Sequence, residues 1–295
     1  MRSFSLVRGF LALTILGLSV TSQYVRAQAL AFQNTYNLSS SLAVAASNFN
    51  PQGIGYDTSA NELLFAQQSS QTLYRTDLTG NILGSKSVAA YNYTVSVAAD
   101  SSFYYFSDYT SNTNGPDLLR MNKTTNVIQQ VGSEIVAYGG YPIDVRNGSL
   151  YRAIPSTSYD YSNLNSIRVS NIATPDTTTT TLALNTPGGI ADFAVDSANN
   201  SLWVMNYSTN ASIYRYNLAS GTLANTFPLN LNGQTGGMTF ANNTLYYYNW
   251  KSGSGSTLST YQFTPSAPAT PEPGSIALLA GFAISSGMFL KRRKK

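Results

Sequence analysis

The stretch Ala191–Phe227, ADFAVDSANNSLWVMNYSTNASIYRYNLASGTLANTF, holds four short apolar or aromatic runs separated by turns rich in Asn, Ser and Gly. Ala191–Asp196 leads through Asn199-Asn200 into Ser201–Met205. Ser212–Tyr216 then leads through Asn217–Gly221 into Thr222–Phe227. Each run is the length of a strand, and a short Asn/Gly/Ser turn between two such runs is a hairpin signal. The whole stretch therefore predicts four consecutive antiparallel strands.

The same unit recurs on both sides. Gly53–Asp57 is followed by a turn and Glu62–Gln67. Val95–Asp100 is followed by Phe103–Phe106. Pro142–Arg146 is followed by Asn147-Gly148 and Ser149–Ala153. Gly236–Phe240 is followed by Asn242-Asn243 and Thr244–Tyr248. Third and fourth runs close the first, second and fourth units, at 72–76 and 81–85, at 117–121 and 127–131, and at 212–216 and 222–227. Five units of four short strands, repeating every ~40–50 residues, have the size of propeller blades. The last unit lacks an outer strand, and Phe32–Val44 is placed to supply it, which would close the ring and remove an exposed sheet edge. The predicted fold is all-β: one β-propeller over residues 30–265, with five blades of four antiparallel strands, plus one C-terminal transmembrane helix. A sixth blade is the alternative if the N-terminal stretch holds more than one strand, and a pair of β-sandwiches is the alternative architecture. The blades resemble bacterial propellers of the NHL/YncE-like style, without a diagnostic Trp-Asp dipeptide.

Composition narrows the chemistry. The chain has no Cys and no His. That excludes thiol catalysis, thiolate metal sites, His-based triads and His general bases. Charged residues are only 10% of the chain, and Tyr is frequent, with 21 residues. The net charge of +4 conceals a split. Setting aside Arg2, Arg8, Arg26 and the five C-terminal bases leaves nine of the 17 Lys and Arg against all 13 Asp and Glu, a net of −4. A nucleic-acid binder carries its positive charge on the folded domain, so no nucleic-acid partner is expected.

The two ends read as targeting segments. Arg2 and Arg8 precede the apolar run Gly9–Val20, and Ala27-Gln28-Ala29 supplies a small-x-small cleavage site, so 1–29 reads as a signal peptide, with a cut after Ala27 as the alternative. Twelve residues of helix span roughly 18 Å, too little for a ~30 Å bilayer core. At the other end the Pro-rich linker 266–273 carries Pro271-Glu272-Pro273. The uncharged apolar run 274–290 and the basic cluster Lys291, Arg292, Arg293, Lys294 and Lys295 follow. The prolines fix where a helix can begin. The five bases stop transfer and stay cytoplasmic, which leaves everything before Pro271 outside.

Together these C-terminal features resemble the PEP-CTERM sorting domain. The resemblance covers about 25 residues and implies recognition by a membrane enzyme, exosortase, which processes its substrates near the Pro-Glu-Pro motif. It implies an inner-membrane anchor before processing and a cell-surface or extracellular location afterwards, often alongside exopolysaccharide. It says nothing about the domain between the ends. For that domain the expectation is a non-catalytic scaffold binding polysaccharide or protein. The alternative is an exported propeller enzyme, a glycan hydrolase or a metal-dependent lactonase.

Within the domain, Asp57, Asp100 and Asp196 occupy matching places after an apolar run, where Asp serves as a turn acceptor. Asp192 and Asp196 share a strand face, which raises a carboxylate-pair reading. Asp108, Asn112, Asn114 and Asp117 surround Gly115 in an oxygen-rich loop. It reads as a solvated loop, with Ca²⁺ as the alternative: the spacing is not that of an EF-hand and the closing Glu is missing. No other cofactor is expected. In Tyr104-Tyr105-Phe106 and Tyr246-Tyr247-Tyr248-Asn249-Trp250, alternation puts half of each run in the core between blades; packing is the expected role of these runs, with stacking of the other half on sugar rings as the alternative.

Overall fold

The computed structural model describes residues 29–38, 42, 53–67, 71–88, 94–108, 117–133, 142–155, 164–206, 211–229, 234–250 and 255–264. Residues 1–28, with Ala27 of the expected cleavage site, the linker with its Pro-Glu-Pro motif, the apolar run 274–290 and the basic tail lie outside the described residues, whereas Ala29 is described and belongs to a strand. Among the described residues no helix is long and apolar enough to cross a membrane.

Ala29–Thr264 form one unit of twenty strands in five antiparallel sheets of four. The first strand, β1 (Ala29–Asn37), belongs to the last sheet. Blade 1 is β2 (Ile54–Asp57), β3 (Glu62–Gln67), β4 (Thr72–Thr76) and β5 (Ile82–Ser87). Blade 2 is β6 (Thr94–Ala99), β7 (Phe103–Asp108), β8 (Asp117–Asn122) and β9 (Ile128–Ser133). Blade 3 is β10 (Ile143–Arg146), β11 (Ser149–Pro155), β12 (Leu164–Asn171) and β13 (Thr178–Ala183). Blade 4 is β14 (Ile190–Asp196), β15 (Ser201–Asn206), β16 (Ser212–Asn217) and β17 (Leu223–Pro228). Blade 5 is β18 (Gln234–Ala241), β19 (Thr244–Trp250) and β20 (Thr257–Thr264), completed by β1. The inner strands β2, β6, β10, β14 and β18 touch in that order and back to β2, so the ring is closed. This is the five-bladed propeller that the repeat predicts, with the closing strand at 29–37, earlier than the 32–44 read from the sequence.

Turn chemistry sets the strand boundaries. Asn147-Gly148 joins Arg146 to Ser149 with φ of 50° and 75°, and Asn242-Asn243 joins Ala241 to Thr244 with 51° and 59°. Two left-handed residues in a two-residue hairpin match the twist of the flanking strands, and Asn and Gly adopt that conformation most readily. The third strands end on side-chain acceptors. Asp77 takes the N–H groups of Thr79 and Asn81, Asn122 those of Thr124 and Thr125, and Asn217 those of Ala219 and Ser220. These tight turns all lie on one face of the ring. Ala29 pairs with Thr264, so the two ends of the domain sit side by side on that same face.

Packing follows from the ring. Each sheet buries both faces against its two neighbours, and five apolar clusters fill the five seams. In the seam between blades 4 and 5 the wholly buried Trp203 stacks on Phe240, with ring centroids 5.1 Å apart, and meets Phe263 edge-on at 4.9 Å. Between blades 5 and 1, Leu38 and Leu42 follow the closing strand and dock among Tyr56, Phe65 and Tyr248. Blades 1 and 2 meet at glycine: a Cβ on Gly55 would lie 2.3 Å from the Val97 carbonyl oxygen. Gly55→Ala should therefore destabilise the fold by about 1–3 kcal/mol through overpacking. Gly148→Ala, where a Cβ meets nothing within 4 Å, should cost only the strain of its positive φ. Urea denaturation of the two variants decides the point, and equal losses would refute the close-approach account.

Candidate functional site

The inner strands carry the polar side chains nearest the axis, and these reach from blade to blade in one direction. Ser96 Oγ accepts the Ile143 N–H at 3.0 Å. Asp144 Oδ2 accepts the Val195 N–H at 2.8 Å. Asp192 Oδ2 accepts the Met238 N–H at 2.7 Å. Both carboxylates also accept the N–H of the following residue, Val145 and Phe193, at 2.8 Å. All three side chains are buried. An unpaired buried N–H is costly, so each contact fixes the angle between neighbouring blades.

Arg146 closes the axis at the tight-turn end. It donates to the carbonyls of Val195 at 3.2 Å, Tyr56 at 3.3 Å and Val145 at 3.1 Å, and pairs with Asp144 Oδ1 at 3.2 Å. Three inner strands from blades 1, 3 and 4 thus converge on one guanidinium, whose fork of donors suits such a task. Burial pushes the Asp144 carboxyl up from its ordinary range, while the Arg146 charge and the two N–H groups oppose that rise.

The repeated acids stay in their turns. Asp57 Oδ1 accepts from the Ser59 N–H, the Ser59 hydroxyl and the Ala60 N–H at 3.0, 2.6 and 3.3 Å. Asp100 accepts from the N–H groups of Ser102 and Phe103 and from the Tyr105 hydroxyl, each at 2.7 Å. Asp196 accepts from the Asn199 N–H at 3.2 Å and its amide at 2.7 Å. No register shift intervenes between Asp192 and Asp196. One nevertheless bonds to the neighbouring inner strand and the other holds a turn, so they do not face a common substrate as an acid and a base.

Lys123 from blade 2 pairs with Asp57 and donates to Ser59 Oγ at 3.1 Å. A serine beside a lysine is the geometry of one nucleophile class, but that chemistry needs a neutral amine as base. Here the Lys123 amine is engaged by the Asp57 carboxylate. Burial would raise the Asp57 carboxyl, but hydrogen bonds from Lys123 and Ser59, with the Lys123 charge, hold it below its ordinary value. The cluster is a latch between blades 1 and 2. Its contribution is present above the ordinary carboxylate pKa and is lost as pH falls through the lowered one.

The aromatic runs pack between blades, as expected, and the alternative of sugar stacking fails for the described rings. Tyr104 and Phe106 fill the seam between blades 1 and 2 while Tyr105 fills that between blades 2 and 3. Tyr246 and Tyr248 fill the seam between blades 5 and 1 while Tyr247 fills that between blades 4 and 5. Alternation sends the second half of each run into the neighbouring seam and not to solvent, because a blade has no free face. These six rings are not available to stack on sugars, and the Trp250 side chain lies outside the described residues. The loop with Asn112 and Asn114 lies outside the described residues, as do the side chains of Asp108 and Asp117, which end β7 and begin β8. Among the described residues no three acids gather to hold a metal ion. Ser96, Asp144 and Arg146 had escaped the sequence reading. The visible signal was Pro142–Arg146, where an arginine stands in the place that Asp57, Asp100 and Asp196 hold in other units.

No family model matches the chain, and no curated protein matches it. Solved structures do. A nidogen/laminin complex is matched at 16% identity with a TM-score of 0.50, over 68% of this chain and 72% of that one. A virginiamycin B lyase from Staphylococcus aureus is matched at 16% identity with a TM-score of 0.44, over 72% of this chain and 66% of that one. Hydrazine synthase of Kuenenia stuttgartiensis is matched at 14% identity and a TM-score of 0.44, over 70% of this chain and 57% of that one. At these identities the likeness speaks to the propeller fold alone.

Removing Arg146 leaves a buried carboxylate without its cation. Arg146→Met should lower the unfolding free energy by about 3–5 kcal/mol. Adding Asp144→Asn should cost less than the sum of the two single losses. Strict additivity in urea denaturation would show that the pair is not coupled.

Proposed function

We propose that the protein is an exported surface or matrix protein, sorted through a PEP-CTERM signal, whose propeller is a non-catalytic scaffold that binds polysaccharide or protein. The observation that carries the sorting half is the order Pro271-Glu272-Pro273, an uncharged apolar run and Lys291–Lys295 at one end, with the basic and apolar leader at the other. On this reading the membrane holds 274–290 until an exosortase-type enzyme acts near the motif. Ala29 opens β1, so a leader cut after Ala27 would leave the closing strand whole.

The scaffold half rests on how the polar side chains are used. Asp144 and Asp192 are consumed in joining blades, and Asp57, Asp100 and Asp196 in forming turns. The outer strands carry little charge and many hydroxyls and amides, as in the exposed Thr178–Thr181 of β13. An uncharged surface of donors and acceptors suits neutral polysaccharide better than an ionic partner.

Mass spectrometry of the mature C-terminus from the native host tests the sorting. Loss of the segment after Pro273 is the expected result, and retention of Lys295 in the bulk of the protein would leave only an ordinary anchor. A glycan array probed with the exported domain tests the scaffold. Binding to a neutral polysaccharide is expected, and hydrolysis of any arrayed glycan would turn the reading toward an enzyme.

A further inference from the structure

The axis holds two buried carboxylates, Asp144 and Asp192, and one buried guanidinium, Arg146. The guanidinium lies against Asp144. Both oxygens of Asp192 face main-chain N–H groups, those of Phe193 and Met238. We propose that the axis stores one proton on Asp192, and that losing it as the surroundings turn alkaline loosens the joints between blades 3, 4 and 5.

The charges around Asp192 support this. Of the strands packed on β14, β15 and β18 bring no ionisable side chain, and β10 brings Asp144 and Arg146. β12 brings Arg168, one Nη of which donates to the Asp176 carbonyl. On β14 itself Asp196 is turned to Asn199. Tyr56 and Asp57 of β2 lie across the ring, with Asp57 held by Lys123. A second carboxylate charge beside Asp144 would thus be buried in a low-dielectric site with one cation for two anions. Burial pushes Asp192 up to about 8, the Asp144 charge adds to the rise, and the N–H groups of Met238 and Phe193 pull against it.

The sign follows from linkage. The folded protein keeps a proton that the unfolded chain gives up near the ordinary carboxylate pKa of 3.8. The contribution of Asp192 to stability is therefore greatest below that value, falls as pH rises, and levels off once pH passes about 8. The window is unusually clean, because the chain has no His to titrate within it.

The test follows thermal unfolding of the purified full chain from about pH 5 to about pH 9, for wild type and for Asp192→Asn. Wild type should lose at least about 5 °C in midpoint across the range, and the variant should show a much flatter profile. The amide offers one acceptor to two N–H groups, so the variant should start lower at every pH, but only the slope bears on the proton. Equal slopes would overturn the proposal. Infrared spectroscopy of the wild type needs no variant. A carbonyl band from a protonated carboxylic acid should be present at neutral pH in the native state and vanish as the pH is raised through the window. Its absence at neutral pH would overturn the proposal as well.

Discussion

The fold depends on one strand pair, β1 against β20. Every other neighbouring pair of strands is close in sequence, joined by a turn or a short connection. This pair unites the two ends of the domain, from Ala29 opposite Thr264 to Asn37 opposite Thr257. Without it, blade 5 would be a three-stranded sheet with an exposed edge. The strand itself is thinly buried, and Leu30 and Tyr36 are its only partly covered residues. What holds it is a main-chain ladder with a bulge between Phe32 and Asn34, and the Leu38 and Leu42 side chains that follow it into the next seam. The cost of closing so long a loop is offset only when the last blade is in place, which makes closure late in folding.

Closing the ring also decides where polar groups can go. In an open sheet, one face of each strand would meet water and the acids would be free. In a ring of five sheets both faces are covered, and the inner strands are crowded enough that glycine is needed at residues 53 and 55. A carboxylate there must find N–H donors on the next blade or pair with a cation, and Asp144 and Asp192 do so in different proportions. The same crowding explains why Arg146 bonds to three strands rather than to solvent.

Much of the architecture was legible because turns and strands obey local chemistry. Asn-Gly and Asn-Asn mark two-residue hairpins, Asp and Asn mark capped turns, and Ala191–Phe227 displays a whole blade. The outer half of blade 3 was not legible. β12 lacks a strongly apolar run and β13 is a string of threonines, so neither stands out from a loop. The axial residues were obscure for another reason. Period-two reasoning assigns faces of a single strand, while the role of Asp144 depends on the N–H of Val195, fifty-one residues away in a different sheet. The aromatic runs left sugar stacking open for the same reason, since alternation cannot say whether the second face meets water or another blade.

The placement of Thr264 has a mechanical side. It ends β20, which is flanked by β19 on one side and β1 on the other, and is not an edge strand. A pull transmitted from residue 265 onward would enter the sheet along a strand gripped by two hydrogen-bond ladders. Such a load tends to slide β20 against both neighbours together, so many bonds must yield at once instead of one after another. A domain built this way resists a load applied at Thr264 along the strand.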